Sequence, residues 1–121
     1  MNILLVYPWE WFGELAENIQ EKNPDIKIMT NFEQLLAMVK EGIIERICII
    51  FGGYAIPGDE VAQKIHEIKP DMPILVWDSY GQNQSNSSNI TYLSNSSYNK
   101  EEFYAIIKEF FKTGSFVRSS V

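Results

Sequence analysis

Short apolar runs and amphipathic stretches alternate along most of the chain. A continuous apolar run of four to six residues is typical of a strand covered on both faces, and apolar residues three or four positions apart are typical of a helix with one buried face. The runs predict strands over residues 2–7, 26–29, 46–51, 73–77 and 90–93. The run over 46–51 is the most uniformly apolar, so it is predicted to lie at the centre of a sheet.

Each predicted helix has one apolar stripe. The stripes are Phe12, Leu15, Ala16 and Ile19; then Phe32, Leu35, Leu36 and Val39; then Val61, Ala62, Ile65 and Ile68; and finally Phe103, Ile106, Ile107 and Phe110. Asn31 is predicted to cap the second helix and Gly42 to end it, because asparagine accepts hydrogen bonds from free helical N–H groups and glycine adopts the left-handed conformation. His66 falls outside its stripe and is expected at the surface.

The alternation of strands and helices predicts the fold class. It indicates an α/β domain with a parallel sheet and helices on both faces, and right-handed crossovers favour a flavodoxin-like, doubly wound five-stranded sheet in the order 2-1-3-4-5. Residues 82–89 are Gln, Asn and Ser without an apolar stripe, so the helix expected between the fourth and fifth strands is predicted to be reduced to a loop. The domain is predicted to span residues 1–111. Residues 112–121 are predicted to form a flexible tail.

Composition and charge narrow the functional classes. The chain has 121 residues, 45% of them hydrophobic, which suits one domain with a single core. A net charge of −6 and a pI near 4.7 argue against a general nucleic-acid binder, which needs Lys and Arg to neutralise phosphates. The single cysteine, Cys48, lies in an apolar strand, where a buried and unreactive thiol is expected. No basic leader precedes the first strand and no run approaches the roughly 18 apolar residues of a membrane span, so a cytoplasmic location is expected.

Several motifs resemble those of response-regulator receiver domains, the CheY-like family. Residues 58–61 (GDEV), a predicted helix and residues 69–77 (KPDMPILVW) follow that family's pattern of Gly-x-Glu, helix, and Pro-Asp-x-Pro before an apolar strand. Residues 3–6 resemble the family's first strand, and residues 92–93 its fifth. The resemblance covers residues 1 to about 111 and implies a module of two-component signal transduction.

The resemblance also implies where a phosphoryl site would lie. In the family, acidic residues after the first strand and an aspartate ending the third bind a divalent cation, the aspartate accepts the phosphoryl group, and a hydroxyl and a lysine stabilise its oxygens. The matching positions in this chain, in order along the sequence, are Tyr7, Pro8, Phe51, Asp78 and Asn95. If the shortened loop after the third strand is aligned differently, the acceptor position falls on Ile50. Neither Phe51 nor Ile50 carries a nucleophile, so we predict a degenerate receiver without aspartyl phosphorylation, catalytic residues or a metal.

Such a pseudo-receiver is predicted to act by protein-protein interaction in a signalling pathway and not as an enzyme, with no cofactor. Phe51 and Trp77 are expected to fill the vacated acidic pocket with buried ring area. The predicted partner-binding residues are aromatic side chains placed on loops at the strand ends: Trp9, Trp11, Tyr54 and Tyr80. Because the helix after the fourth strand is predicted to be missing, a monomer or a dimer unlike that of receivers is expected.

Two other functions stay open from the sequence. One is a flavodoxin-like domain that binds a nucleotide or flavin between Trp9, Tyr54 and Tyr80, although residues 8–11 (PWEW) are unlike the Ser/Thr-rich phosphate loop of flavodoxins. The other is a receiver phosphorylated at Asp78. Gly52 and Gly53 are better explained as a turn than as a phosphate cradle, because no Gly-rich phosphate-binding pattern surrounds them.

Overall fold

The predicted sheet order is confirmed in the computed structural model of the protein, which describes residues 1–51, 58–78, 89–94 and 100–114. These residues form a parallel five-stranded sheet in the order β2-β1-β3-β4-β5. The strands are β1 (Asn2–Tyr7), β2 (Ile26–Met29), β3 (Arg46–Phe51), β4 (Ile74–Asp78) and β5 (Ile90–Ser94). The helices are α1 (Trp9–Lys22), α2 (Phe32–Glu41), α3 (Gly58–Ile68) and α4 (Lys100–Thr113). No helix within the described residues has the length and hydropathy needed to cross a membrane.

The sheet separates two buried layers. One layer joins alternate strand residues to α2 and α3, and it contains Ile3, Leu5, Leu35, Val39, Ile47, Ile49, Phe51, Val61, Ile65 and Val76. The other joins the intervening strand residues to α1 and α4, and it contains Leu4, Val6, Ala16, Ile19, Cys48, Ile50, Leu75, Phe103, Ile107 and Phe110. Every second side chain of β3 therefore faces the same helices, as the pleat of a strand requires. This alternation decides which residues at the strand ends can meet.

Both predicted ends of α2 are confirmed, whereas α1 differs from its prediction at its start. The Asn31 side chain accepts a hydrogen bond from the backbone N–H of Gln34 at 3.0 Å, and Gly42 ends α2 in the left-handed conformation at φ 76°. Helix α1 begins at Trp9, earlier than the apolar stripe indicates. Pro8 takes an extended conformation as its N-terminal cap, after a cis peptide bond from Tyr7. The placement of Trp9 and Trp11 on a loop is therefore wrong.

The last helix extends through Thr113, two residues beyond the predicted end of the domain at residue 111. Its C-terminal turn accepts two hydrogen bonds from side chains of the neighbouring strands β1 and β3. The Arg46 guanidinium and the Asn2 side-chain amide donate to the Phe111 carbonyl oxygen at 3.0 Å and 3.1 Å. Residues 115–121 of the predicted tail and residues 82–88 of the predicted loop lie outside the described residues.

His66, which is expected at the surface, is half-buried on α3. Its Nδ1 atom is buried without a hydrogen-bond partner among the described residues. An apolar stripe identifies only the centre of a buried helix face, so it does not show how far a side chain at the margin of that face is covered.

Candidate functional site at the carboxyl ends of the strands

Phe51 ends the central strand as a buried aromatic ring. Only 6% of the residue is exposed, and its side chain belongs to the layer between the sheet and helices α2 and α3. The strand register places it between Tyr7 of β1 and Asp78 of β4. The ring centroids of Tyr7 and Phe51 lie 5.7 Å apart with an interplanar angle of 52°, a favourable tilted aromatic contact. The middle of the carboxyl-terminal edge of the sheet, where β1 and β3 end, is therefore apolar.

Tyr7 covers Phe51 from the solvent side. It is 41% exposed although it is the last residue of a strand whose four preceding residues are fully buried. A half-exposed ring over a buried ring makes the carboxyl end of β1 and β3 a small aromatic surface.

Trp77 lies in the opposite layer from Phe51, so the expectation that both fill one pocket is wrong. Its ring meets Phe103 of α4 edge to face at a centroid distance of 3.7 Å, and its register partner on β3 is Ile50. The register pairs Phe51 with Asp78 and not with Trp77. Because neighbouring residues of a strand point to opposite faces, Trp77 and Phe51 lie on different sides of the sheet. The indole Nε1 is buried without a hydrogen-bond partner among the described residues.

Four of the predicted site residues cannot be placed by their side chains. The backbone of Asp78 pairs with Phe51 on one side and Ser94 on the other, which fixes its position at the strand end. The side chain of Asp78, and Tyr54, Tyr80 and Asn95 as a whole, lie outside the described residues. The hypothesis of a ligand between Trp9, Tyr54 and Tyr80 therefore depends on two residues that the structure does not describe.

Trp9 and Trp11 occupy the first turn of α1 next to this edge. Trp9 is 41% exposed and Trp11 is 65% exposed, so both present indole surface to solvent. Trp9 folds back along its own helix: a Cβ atom added to Gly13 would lie 2.5 Å from Cε2 of the indole. The indole thus rests on the backbone of Gly13 one turn later, and only glycine leaves room for it there.

Gly13 is a residue that the sequence reasoning missed. A tryptophan four positions before a glycine in an amphipathic helix is the signal that could have identified it, since positions i and i+4 are neighbours on a helix surface. Its effect is to leave room for the Trp9 indole on the surface of α1.

The described residues offer little reactive chemistry. Burial raises the pKa of the Cys48 thiol far above its ordinary value of 9.0, because the thiolate would lose its hydration inside the sheet. In residues 1–51, 58–78, 89–94 and 100–114, no three His, Cys, Asp or Glu side chains are grouped so that they could hold a metal ion. The dominant property of the site is exposed aromatic surface.

No protein-family model matches the sequence, and no curated protein is similar to it at a significant level. Solved structures do match the fold. The receiver domain of a sensor histidine kinase from Pseudomonas aeruginosa, which has a magnesium ion in its active-site cleft, aligns with a TM-score of 0.66 and 13% identity. That alignment covers 93% of this chain and 98% of the other chain.

A second match is to the two-component transcriptional regulator AraC of Clostridium phytofermentans. It aligns with a TM-score of 0.64 and 14% identity, over 93% of this chain and 91% of the other. At such low identity the likeness shows the fold alone, and the chain has the fold of receiver domains.

Proposed function

We propose that this receiver fold serves as a signalling module of a two-component pathway that binds protein partners without forming an aspartyl phosphate. The observation that carries the proposal is Phe51. At the end of the central strand, where the resemblance to receivers implies an acceptor carboxylate, the chain has a ring with 6% exposure. A phenyl ring has no atom that can attack a phosphoryl donor.

The described residues that end β1 and β3 also do not fit the magnesium ion of a phosphorylatable receiver. Magnesium is bound by oxygen ligands, above all carboxylates. The described residues that end β1 and β3 are Tyr7 and Phe51, packed ring against ring. The region offers no carboxylate from either strand, and the nearest one in sequence after β1 is Glu10, on the exposed face of α1.

The exposed aromatic side chains support binding to a protein partner. Tyr7, Trp9 and Trp11 lie within one strand end and one helical turn, and each leaves at least two-fifths of its surface in water. Tyr and Trp are the side chains most enriched among the dominant contacts of protein interfaces. A cytoplasmic location and a monomer, or a dimer unlike that of receivers, are part of this proposal.

Incubation with acetyl phosphate and magnesium, followed by intact-protein mass spectrometry, tests the proposal. The expected result is an unchanged mass. An Asp78→Asn variant is the matched control, because Asp78 is the carboxylate at the end of the neighbouring strand. A stoichiometric phosphoryl adduct on the wild-type chain would refute the proposal, and its loss in the Asp78→Asn variant would assign phosphorylation to Asp78.

A further inference from the structure

The exposed large apolar side chains among the described residues lie at two opposite edges of the sheet. The aromatic ones lie at the carboxyl ends of the strands, whereas Met1 and Ile43 lie at the amino ends. Met1 is 46% exposed and Ile43 is 45% exposed. The amine of Met1 donates a hydrogen bond to the Ile43 carbonyl oxygen at 3.2 Å, so the two residues are neighbours. They form an aliphatic patch that the proposed function does not use.

An exposed carboxylate lies beside the aliphatic patch. Glu45 is two residues past Ile43, and its backbone N–H donates to the Met1 carbonyl oxygen at 2.8 Å. The Glu45 side chain is 70% exposed, and it pairs with the Met1 amine at 3.9 Å, a long contact that leaves the carboxylate open to a second cation. The amino edge of the sheet therefore offers apolar surface and negative charge side by side.

The chain leaves α4 next to this edge. Gly114 ends the helix in the left-handed conformation at φ 80°, and its backbone N–H donates to the Phe110 carbonyl oxygen at 2.7 Å, which is the αL form of helix ending. A Cβ atom added to Gly114 would lie 3.2 Å from Nε of Arg46. Arg46 is the first residue of β3 and pairs with Asn2, which follows Met1. The residues after Gly114 therefore start close to the aliphatic patch.

The segment that follows has side chains that complement this edge. Residues 115–121, which lie outside the described residues, have the sequence SFVRSSV. Phe116 and Val117 are apolar, and Arg118 is the single charged side chain of the segment. Because an extended residue spans about 3.3 Å, Phe116 is at most about 7 Å of backbone beyond Gly114. An apolar pair followed by a cation matches an aliphatic patch followed by an exposed carboxylate.

We infer that the aliphatic patch is a docking surface for residues 115–121 of the same chain. In this arrangement Phe116 covers Met1 and Ile43, and Arg118 pairs with the Glu45 carboxylate. The short connection gives the segment a high effective concentration at the patch, which a separate partner does not have. A second copy that set patch against patch would bring two Glu45 carboxylates together, and like charges oppose such a contact. The inference goes beyond the proposed function and does not depend on it.

Nuclear Overhauser contacts in the full chain test the docking directly. We expect contacts between the Phe116 ring protons and the methyl groups of Met1 and Ile43, with the same relative strength at every protein concentration. Phe116→Ala is expected to lower the melting temperature by about 4 °C, because it returns the aliphatic patch to water. Ser120→Ala is the matched control in the same segment and is expected to leave the melting temperature unchanged.

A charge exchange tests the ion pair. Arg118→Glu is expected to weaken the ring-to-methyl contacts, because it sets two carboxylates side by side. Adding Glu45→Arg to Arg118→Glu is expected to restore them. Adding Glu33→Arg instead makes the same change in net charge at an exposed position in the first turn of α2, and it is expected not to restore them.

Absence of contacts between Phe116 and the patch, or equal restoration by Glu45→Arg and Glu33→Arg, would overturn the inference. Contacts that fade on dilution would also overturn it and would assign the patch to a second copy of the chain. None of these measurements depends on the phosphorylation test, so a failure of the docking inference and a failure of the proposed function are separate results.

Discussion

Replacing Phe51 with alanine tests whether its ring is a structural plug at the strand-end edge. Large-to-small changes of a buried phenylalanine cost about 3–5 kcal/mol, from lost burial and from the cavity left behind. Phe51 is 6% exposed, but its neighbour Tyr7 is 41% exposed, so the cavity can open to water on one side. We therefore expect the lower end of the range, about 3 kcal/mol.

For a domain of this length, that loss corresponds to a fall in melting temperature of about 12 °C. The assay is urea unfolding followed by circular dichroism, with thermal melts as a second measurement. Phe51→Leu is the matched control, because it keeps most of the buried volume and is expected to cost about 1 kcal/mol. Tyr7→Ala is also expected to cost about 1 kcal/mol, since that ring keeps much of its surface in water.

The double variant with both rings removed measures their contact directly. Aromatic pairs contribute about 0.5–1.5 kcal/mol beyond their burial, so the two single costs should fail to add by about that amount. A cost below about 1 kcal/mol for Phe51→Ala, or one equal to that of Tyr7→Ala, would contradict the reasoning that the ring fills this edge.

Three further predictions address separate contacts. Gly13→Ala is expected to displace the Trp9 indole, which lies 2.5 Å from the new Cβ position, and to shift tryptophan emission to longer wavelength; an unchanged spectrum would contradict this packing. Arg46→Met removes one donor to the Phe111 carbonyl oxygen and should cost about 1 kcal/mol in urea unfolding, with faster amide exchange in the last turn of α4. Cys48 should react with a thiol reagent only on unfolding. Because burial raises its pKa in the folded state, the stability it contributes is present at neutral pH and is lost as the pH rises above 9.0, and a Cys48→Ala variant should lack that loss.

The strands could be predicted from the sequence because a short continuous apolar run indicates a buried strand and is too short for a helix. The predicted bounds of β1, β2 and β3 are those of the structure, and β4 is shifted by one residue toward Asp78. Strand order followed from connection rules and not from any residue at the edge. The position of Phe51 at the carboxyl end of β3 followed from the predicted bounds of that strand.

The side of the sheet on which each aromatic side chain lies could not be predicted in the same way. Assigning Trp77 to the layer opposite Phe51 would require knowing which β4 residue pairs with which β3 residue, because a shift of one position moves a side chain to the other face of the sheet. The start of α1 was missed for a different reason. The apolar stripe begins at Phe12, whereas the helix begins at Trp9, directly after Pro8, and its first turn is exposed. The packing of Trp9 on Gly13 depends on that earlier start.

The contacts around Arg46 have a practical consequence for how the protein can be attached to other molecules. The backbone N–H of Glu45 donates to the Met1 carbonyl oxygen at 2.8 Å, and Gly114 lies beside the side chains of Arg46 and Pro73. Residues 1 and 114 therefore both lie at the amino ends of the strands, and Tyr7 and Phe51 lie at the carboxyl ends. A fluorescent label or a surface tether attached at residue 1 or residue 114 would start from the edge of the sheet opposite to the aromatic residues. Immobilisation by either route should leave Tyr7, Trp9 and Trp11 accessible to a partner in solution.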